Sequence, residues 1–454
     1  MLESMKGVHM NKTYLTRFKF SGVKNIKEEI TLHFYKQTIT PQLDSKLAKV
    51  KAIYGPNGSG KSAIIHAVSM YRSIAFNRKA LYSDNIISNI KHLMNNESEK
   101  ISFEVEFVIV YKNKINAVYT HQFSIAKSET DEFFIDYERI DIIDFRISKT
   151  NKTIIEVIDG VLVTTGIDDE ITQFTNNTLK TSSFLSKLVE FYLIKNQDSN
   201  GETLKFVLDL MPLIVAILSI ECVFIDEDDH SLYFAHKKLI DNSDTMLRLS
   251  DIAESYAKIS SMKKLKNQKD DYIRKDDIPL YEKHIDKLTS FLQLFKPTLK
   301  SIDLVKRAYE DGYYITKTMN YGYTQIDFEF ESAGIKKLSK MFYLIEKMIH
   351  SNMILFIDEL DSSINDIYLI KLVDFIQNYG QGQLVFTTHN VSPMKILKNH
   401  KYGIDFMTSN GQIVPYTKNG NYSPENLYRE GMIKGLPFNI ESYDFLKIFG
   451  DNDE

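Results

Sequence analysis

Four short stretches carry residue types and spacings that could do chemistry on a phosphate chain. Residues 55–62 read GPNGSGKS and fit G-x-x-x-x-G-K-[ST]. Gly55, Gly58 and Gly60, with Asn57 and Ser59 between them, let the backbone wrap an anion with its N–H groups pointing inward. Lys61 can then reach the β- and γ-phosphates, and Ser62 can hold Mg²⁺. Residues 353–359, MILFIDE, end an apolar run in two acids. Asp358 can bind Mg²⁺ directly or through water, and Glu359 can polarise an attacking water. QLVFTTH ends in His389, which can hydrogen-bond a γ-phosphate and hold that water. ESAG, at 331–334, places Ser332 and Gly334 at a helix start, where a hydroxyl, bare N–H groups and the positive dipole end meet an anion. The alternative is a plain helix cap. The phosphate loop already supplies such donors in its own subunit, so a second set makes sense where it closes on nucleotide held by another copy.

These residues need particular elements to hold them. Val50 to Tyr54 is a short apolar strand that runs into the glycines, and Ala63 to Phe76 has helical spacing, so the first motif has the strand–loop–helix context it requires. The runs before Asp358 and His389 read as buried parallel strands, whose carboxyl ends are where ligands sit in open α/β sheets. Leu338, Met341, Phe342, Ile345, Met348 and Ile349 share one face of a helix over 335–350. Elsewhere, 13–35, 101–163 and 312–330 alternate as strands, 366–378 as a helix, and 170–300 has a helical period. The expected architecture is α/β: an ABC-type ATPase head, with a mixed sheet, a phosphate-loop core and an antiparallel β subdomain, interrupted by a helical insertion. Its parts are an N-terminal half at 10–165, the insertion at 166–310 and a C-terminal half at 311–454.

Bulk composition agrees with a folded chain: 454 residues, 43% apolar, 26% charged and few prolines or glycines. The single cysteine, Cys222, excludes a disulfide framework and fits a reducing cytosol, so a cytoplasmic protein is expected. The first thirty residues are polar and charged, with no secretory signal, and residues 1–9 precede a second methionine, Met10. Asp209, Pro212 and Glu221 break the longest apolar stretch. Leu213 to Ile220 is too short to span a membrane and predicts a buried helix leading into a strand. A net charge of −4 gives no global nucleic-acid signal, but residues 256–310 carry 13 Lys/Arg against 8 Asp/Glu, a local +5 that permits one.

Together, GPNGSGKS, ESAG, ILFIDE and TTH resemble the ABC-type ATPases of the RecF, SMC and OLD branch. In particular they are similar to compact bacterial AAA family ATPases of abortive-infection and restriction-linked loci, the AbiLi or RloA kind. YLTRFKFSGVKNIKEEITLHF looks like that group's first strands, and YREGMIKGLPFN loosely like its C-terminal glycine segment. The likeness covers about 10–160 and 311–454. It implies that Gly55 to Ser62 are Walker A, Asp358 and Glu359 Walker B, Ser332 and Gly334 the signature acting in trans, and His389 the switch histidine. Asp361 and Ser362 would begin the D-loop, and Gln122 is a candidate for the Q-loop glutamine. ESAG departs from the transporter signature, and SSIND lacks the Leu-His-Pro usual after this Walker B.

The implied protein is an ATP- and Mg²⁺-dependent ATPase, working as a homodimer or higher oligomer. In anti-phage defence it would control a separately encoded nuclease or toxin. A RecF- or SMC-like DNA-binding ATPase in repair is the alternative; it predicts a basic stripe and salt-sensitive DNA binding.

Overall fold

The computed structural model describes residues 12–44, 47–77, 80–195, 201–224, 271–362, 364–418, 422–433 and 435–436. Met1 to Met10, part of the basic 256–310 stretch and part of the C-terminal glycine segment lie outside the described residues.

The chain opens with β1 (Lys12–Ser21) and β2 (Ile30–His33), an antiparallel pair joined through a tight turn. Gly22 and Lys24 take positive φ there. Next come β3 (Val50–Tyr54) and α1 (Lys61–Phe76), then α2 (Asp84–Leu93). Long alternating segments give β4 (Lys100–Tyr111), β5 (Lys114–Lys127), β6 (Phe133–Asp144), β7 (Lys152–Ile158) and the short β8 (Val161–Leu162). With β1 and β2 they form a seven-stranded antiparallel sheet in the order β2-β1-β4-β5-β6-β7-β8. Successive strands pair as neighbours from β4 onwards because short turns join them.

α3 (Asp169–Thr175), α4 (Phe184–Lys195) and α5 (Gly201–Leu218) follow. α5 leads directly into β9 (Ile220–Val223), so the apolar stretch at 206–225 is a helix followed by a strand. Among the described residues no helix is long and apolar enough to cross a membrane. β10 (Asp271–Arg274), α6 (Ile278–Phe295), β11 (Ser301–Tyr309), β12 (Gly312–Asn320) and β13 (Gln325–Asp327) come next. β10, β11 and β13 all pair with β12 in a small antiparallel sheet. The window read as a helical insertion, 166–310, therefore contains strands as well as helices.

The last part alternates: α7 (Ala333–His350), β14 (Ile354–Ile357), α8 (Asp366–Tyr379), β15 (Gln383–Thr387), α9 (Met394–Leu397), β16 (Ile404–Met407), β17 (Ile413–Pro415) and α10 (Pro424–Arg429). These strands meet β3 and β9 in a six-stranded sheet, order β17-β16-β3-β15-β14-β9, parallel except for β17. β3, from the N-terminal half, thus lies between two strands made more than 300 residues later.

Alternation along the central strands divides two apolar cores. Ile53, Ile354, Phe356 and Val385 face a core shared with α1, α4, α5 and the antiparallel sheet. Val50, Ala52, Tyr54, Leu355, Ile357, Leu384 and Phe386 face one shared with α6, α7, α8 and α9. Burial on both faces explains why these strands read as unbroken apolar runs. Gln383 fastens the two large sheets together. Its side chain accepts from Leu15 N at 2.7 Å and donates to the carbonyls of Leu15 and Ala48, each at 3.0 Å.

Candidate functional site

The phosphate loop is shaped by its glycines. β3 is buried throughout and delivers Gly55 to the sheet's carboxyl edge. A Cβ on Gly55 would lie 2.6 Å from the Met407 carbonyl oxygen. Gly60 has φ +105°, and its Cβ would lie 2.6 Å from Ile26 Cδ1, so both steric room and conformation demand glycine. Gly58 has φ +76° and sits in the open. Asn25, in the turn between β1 and β2, donates from Nδ2 to the Gly58 carbonyl at 2.9 Å and braces the loop from outside. Lys61 is buried and turned back on its own loop, donating to the carbonyls of Gly55 at 2.8 Å and Pro56 at 3.0 Å. Burial lowers its pKa, opposed by Asp358, Glu359 and Asp361. Ser59 Oγ is buried with no hydrogen-bond partner. Ser62 is half-buried in the first turn of α1. The loop thus has the backbone freedom, the cation and an unsatisfied hydroxyl that an anion would use.

Across the sheet edge, β14 ends at Asp358 and Glu359. The loop that follows is held by side chains from two other elements. Thr387, at the end of β15, donates from Oγ1 to Asp358 Oδ1 at 2.5 Å and accepts from Glu359 N at 2.7 Å. Lys337, one turn into α7, donates to the carbonyl oxygens of Glu359 at 2.6 Å and Ser362 at 2.8 Å. Between these anchors Glu359 has φ +47°, a left-handed conformation that costs a residue with a Cβ roughly 1–2 kcal/mol. Its carboxylate is exposed while Asp358 is half-buried. Lys337 is buried, and that burial brings its pKa down to about 8 against the opposing pull of Asp361, Glu359 and Asp358.

His389 lies two residues beyond β15 and is exposed. Partial desolvation and then the charge of Lys61 lower its pKa below the ordinary histidine value, against Asp361, Glu359 and Asp358. Those mutual influences put Lys61, Asp358, Glu359, Asp361 and His389 in one electrostatic neighbourhood. One oxygen of Asp361, Oδ1, is buried without a partner.

Ser332 and Gly334 are at the first turn of α7, with Ser332 exposed. Ser332 caps the helix, its Oγ accepting from Ile335 N at 3.5 Å. Glu331 beside it is buried. Burial would raise its pKa, but bonds from Tyr321 and Ser332 N and the charge of Lys296 bring it down. Ser332 is therefore linked to the acid loop through Lys337 on its own helix.

One expectation is revised. Gln122 is mid-strand in β5, and its amide donates to Glu104 Oε2 on β4 at 2.8 Å, because the strand pairing sets those two residues opposite one another. It belongs to the antiparallel sheet rather than to the phosphate edge. On the side of β14 away from β15 lies β9, and Phe224 just after it stacks on His66 of α1, with ring centroids 4.5 Å apart. Lys24, from the β1–β2 turn, also enters this field: its charge lowers the His66 pKa, and Asp358 raises both groups' values. Thr387, Lys337, Lys24 and His66 escaped the sequence reading. Thr387 alone had a signal, as the last residue of the apolar run two residues before His389.

Among the described residues no group of three or more His, Cys, Asp or Glu side chains could hold a metal by itself. A divalent ion here would draw on one hydroxyl, one carboxylate, and phosphate and water oxygens. Mg²⁺, which keeps several waters, fits such a donor set.

No protein-family model and no curated protein matches the chain. Among solved structures, it is similar to an SMC head bound to the C-winged helix domain of ScpA, at 14% identity, 89% of this chain, 98% of that one and TM-score 0.40. It is similar to an Smc head domain with an extended coiled coil, bound to the C-terminal domain of ScpA, from Pyrococcus furiosus, at 15%, 89%, 96% and 0.42. The SMC head domain of Thermotoga maritima gives 15%, 89%, 100% and 0.32.

Proposed function

We propose that the chain is an ATPase whose phosphate loop holds ATP and whose acid loop hydrolyses it. The observation that carries this is the convergence of Lys61, Asp358, Glu359 and His389 on one sheet edge, around a loop whose glycines admit no side chain at Gly55 or Gly60. In this reading Gly55, Asn57, Gly58, Ser59 and Gly60 cradle the phosphates with backbone N–H groups. Lys61 leaves its loop carbonyls for phosphate oxygens, exchanging neutral acceptors for charged ones. Ser62 and Asp358 would hold Mg²⁺, which neutralises charge on the β- and γ-phosphates. Glu359 accepts a proton from water as the water oxygen bonds to the γ-phosphorus; the bond to the bridging oxygen breaks and ADP leaves. His389, neutral near pH 7 because its pKa is lowered, can orient that water or donate to a γ-phosphate oxygen.

Ser332 is exposed and Gly334 half-buried on a helix start of their own, away from the bonds that shape the phosphate loop. That exposure supports their closing on the nucleotide of a second copy. ATP held by contacts from two copies would favour the paired state, making the molecule a nucleotide-dependent switch. Resemblance in sequence supports placing that switch in bacterial anti-phage defence, upstream of a separate nuclease or toxin effector.

The direct test is nucleotide binding and phosphate release by the purified chain with and without Mg²⁺. Lys61→Ala should weaken ATP binding by about 10- to 100-fold, in line with loss of a charge-assisted contact worth about 1.5–3 kcal/mol. ATP affinity equal to that of the unsubstituted chain would remove the assignment. Co-purification from the native locus then separates defence from repair: an effector enzyme supports the first, DNA and recombination proteins the second.

A further inference from the structure

The backbone of Glu359 is held at both ends by side chains that come from different parts of the sheet edge. Its N–H goes to Thr387 on the strand leading to His389, and its carbonyl takes a hydrogen bond from Lys337 on the helix that Ser332 begins. Lys337 also holds the Ser362 carbonyl, so one buried ammonium spans residues 359 to 362. A left-handed residue with a side chain persists where its surroundings over-determine it. Here the over-determination is specific: remove Lys337, and the Glu359 carbonyl keeps only the turn bond from Ser362 N at 3.0 Å, while the amide side keeps Thr387. Lys337 is five residues along from Ser332 in a continuous helix, so a displacement of the helix start reaches the ammonium through a rigid turn.

We propose that Lys337 is a positioning residue: it ties the helix that begins at Ser332 to the loop carrying Glu359, so that contact made at the helix start sets the direction of the Glu359 carboxylate. The proposal rests on the ATPase reading of Glu359. It adds a route by which whatever covers Ser332 controls turnover within the same subunit. Lys337 itself reaches backbone carbonyls and touches no reacting atom. Its removal should therefore change the rate of the chemical step far more than nucleotide affinity.

The test compares K337M, which keeps the length of the side chain without its donors, with K337R, which restores charge and donors. K337M should bind ATP within about 3-fold of the unsubstituted chain while kcat falls about 10- to 100-fold, the scale of a small misplacement of a reacting group. K337R should recover most of that loss. Hydrogen exchange at the Leu360 and Ser362 amides should accelerate in K337M and return towards normal in K337R, with β14 amides unchanged. An unaltered kcat in K337M, or unaltered exchange at those two amides, would overturn the proposal. So would an equal loss of kcat in K337M and K337R accompanied by equal falls in melting temperature, which marks a generic packing role. If K337M fails to fold, K337Q, with one shorter amide donor, is read by the same criteria. An unsubstituted chain that neither binds nor hydrolyses ATP would sink the ATPase reading instead, and the exchange measurement would still report on the tether.

Discussion

The two loops that meet at the sheet edge are built in opposite ways. The phosphate loop takes its shape from glycines, two of them pressed close by Met407 and Ile26, from a helix that starts at Lys61, and from a brace by Asn25. The acid loop has no glycine at its left-handed position. Besides the turn bond from Ser362 N to the Glu359 carbonyl, its shape comes from Thr387 and Lys337, reaching in from 28 and 22 residues away in sequence. A loop whose bends are set by glycines needs few side-chain bonds to hold its shape once its neighbours are packed. A loop held by neighbours changes when they move. That contrast fits binding at the first loop and control of chemistry at the second.

The largest expected effect breaks the acid loop's chemistry while sparing its frame. Glu359→Gln should lower steady-state phosphate release by about 10²- to 10⁴-fold, with ATP affinity little changed. Unimpaired turnover would exclude Glu359 as the base. Gly60→Ala attacks the glycine-shaped loop, forcing a side chain into φ +105° and against Ile26. Overpacking of this kind costs about 1–3 kcal/mol, and melting temperature and ATP affinity should fall together. Thr387→Val should do the reverse. It deprives Glu359 N of its acceptor and Asp358 of a donor, for about 1–3 kcal/mol, and should lower turnover more than affinity. If Gly60→Ala and Thr387→Val give the same ratio of the two losses, the distinction between the loops fails.

The smallest effect concerns pH. His66 has its pKa lowered from 6.5 to about 4, first by desolvation and then by Lys24, against Asp358. Its folded value lies below its unfolded one, so the unfolded chain takes up the proton first. The stabilisation is full above about 6.5 and is lost as pH falls towards 4. Denaturant midpoints for the unsubstituted chain and His66→Phe should converge on acidification through that window. Parallel curves would show that His66 stays accessible to protons when folded.

What could be read in the sequence follows the same division. GPNGSGKS was legible because its glycines, lysine and flanking strand and helix are contiguous, and each is demanded by local geometry. Asp358 and His389 were legible as the ends of apolar runs. The fold class was legible too, since strands buried on both faces are continuous in apolar residues. The anchors of the acid loop were not. Lys337 lies in a helix where a lysine ordinarily points to water, and only tertiary packing turns it onto the Glu359 and Ser362 carbonyls. Gln122 misled for a related reason: sequence cannot tell a glutamine that serves a site from one paired across a strand with Glu104. Of the strands within 166–310, β9 was legible as the end of the apolar run after its helix, whereas β10 and β11 were hidden by the helical period around them.

The position of β3 has a consequence for how the molecule is made. Its two neighbours, β15 and β16, leave the ribosome some 330 to 350 residues after it, whereas the antiparallel sheet can pair hairpin by hairpin as it emerges. At about 5–20 residues per second, β3 waits tens of seconds with both edges open. Until β16 arrives, Met407 is not there to back Gly55, and the phosphate motif exists without its finished cradle. A nascent copy that ends before β16 would therefore carry the motif without the packing that Met407 gives Gly55.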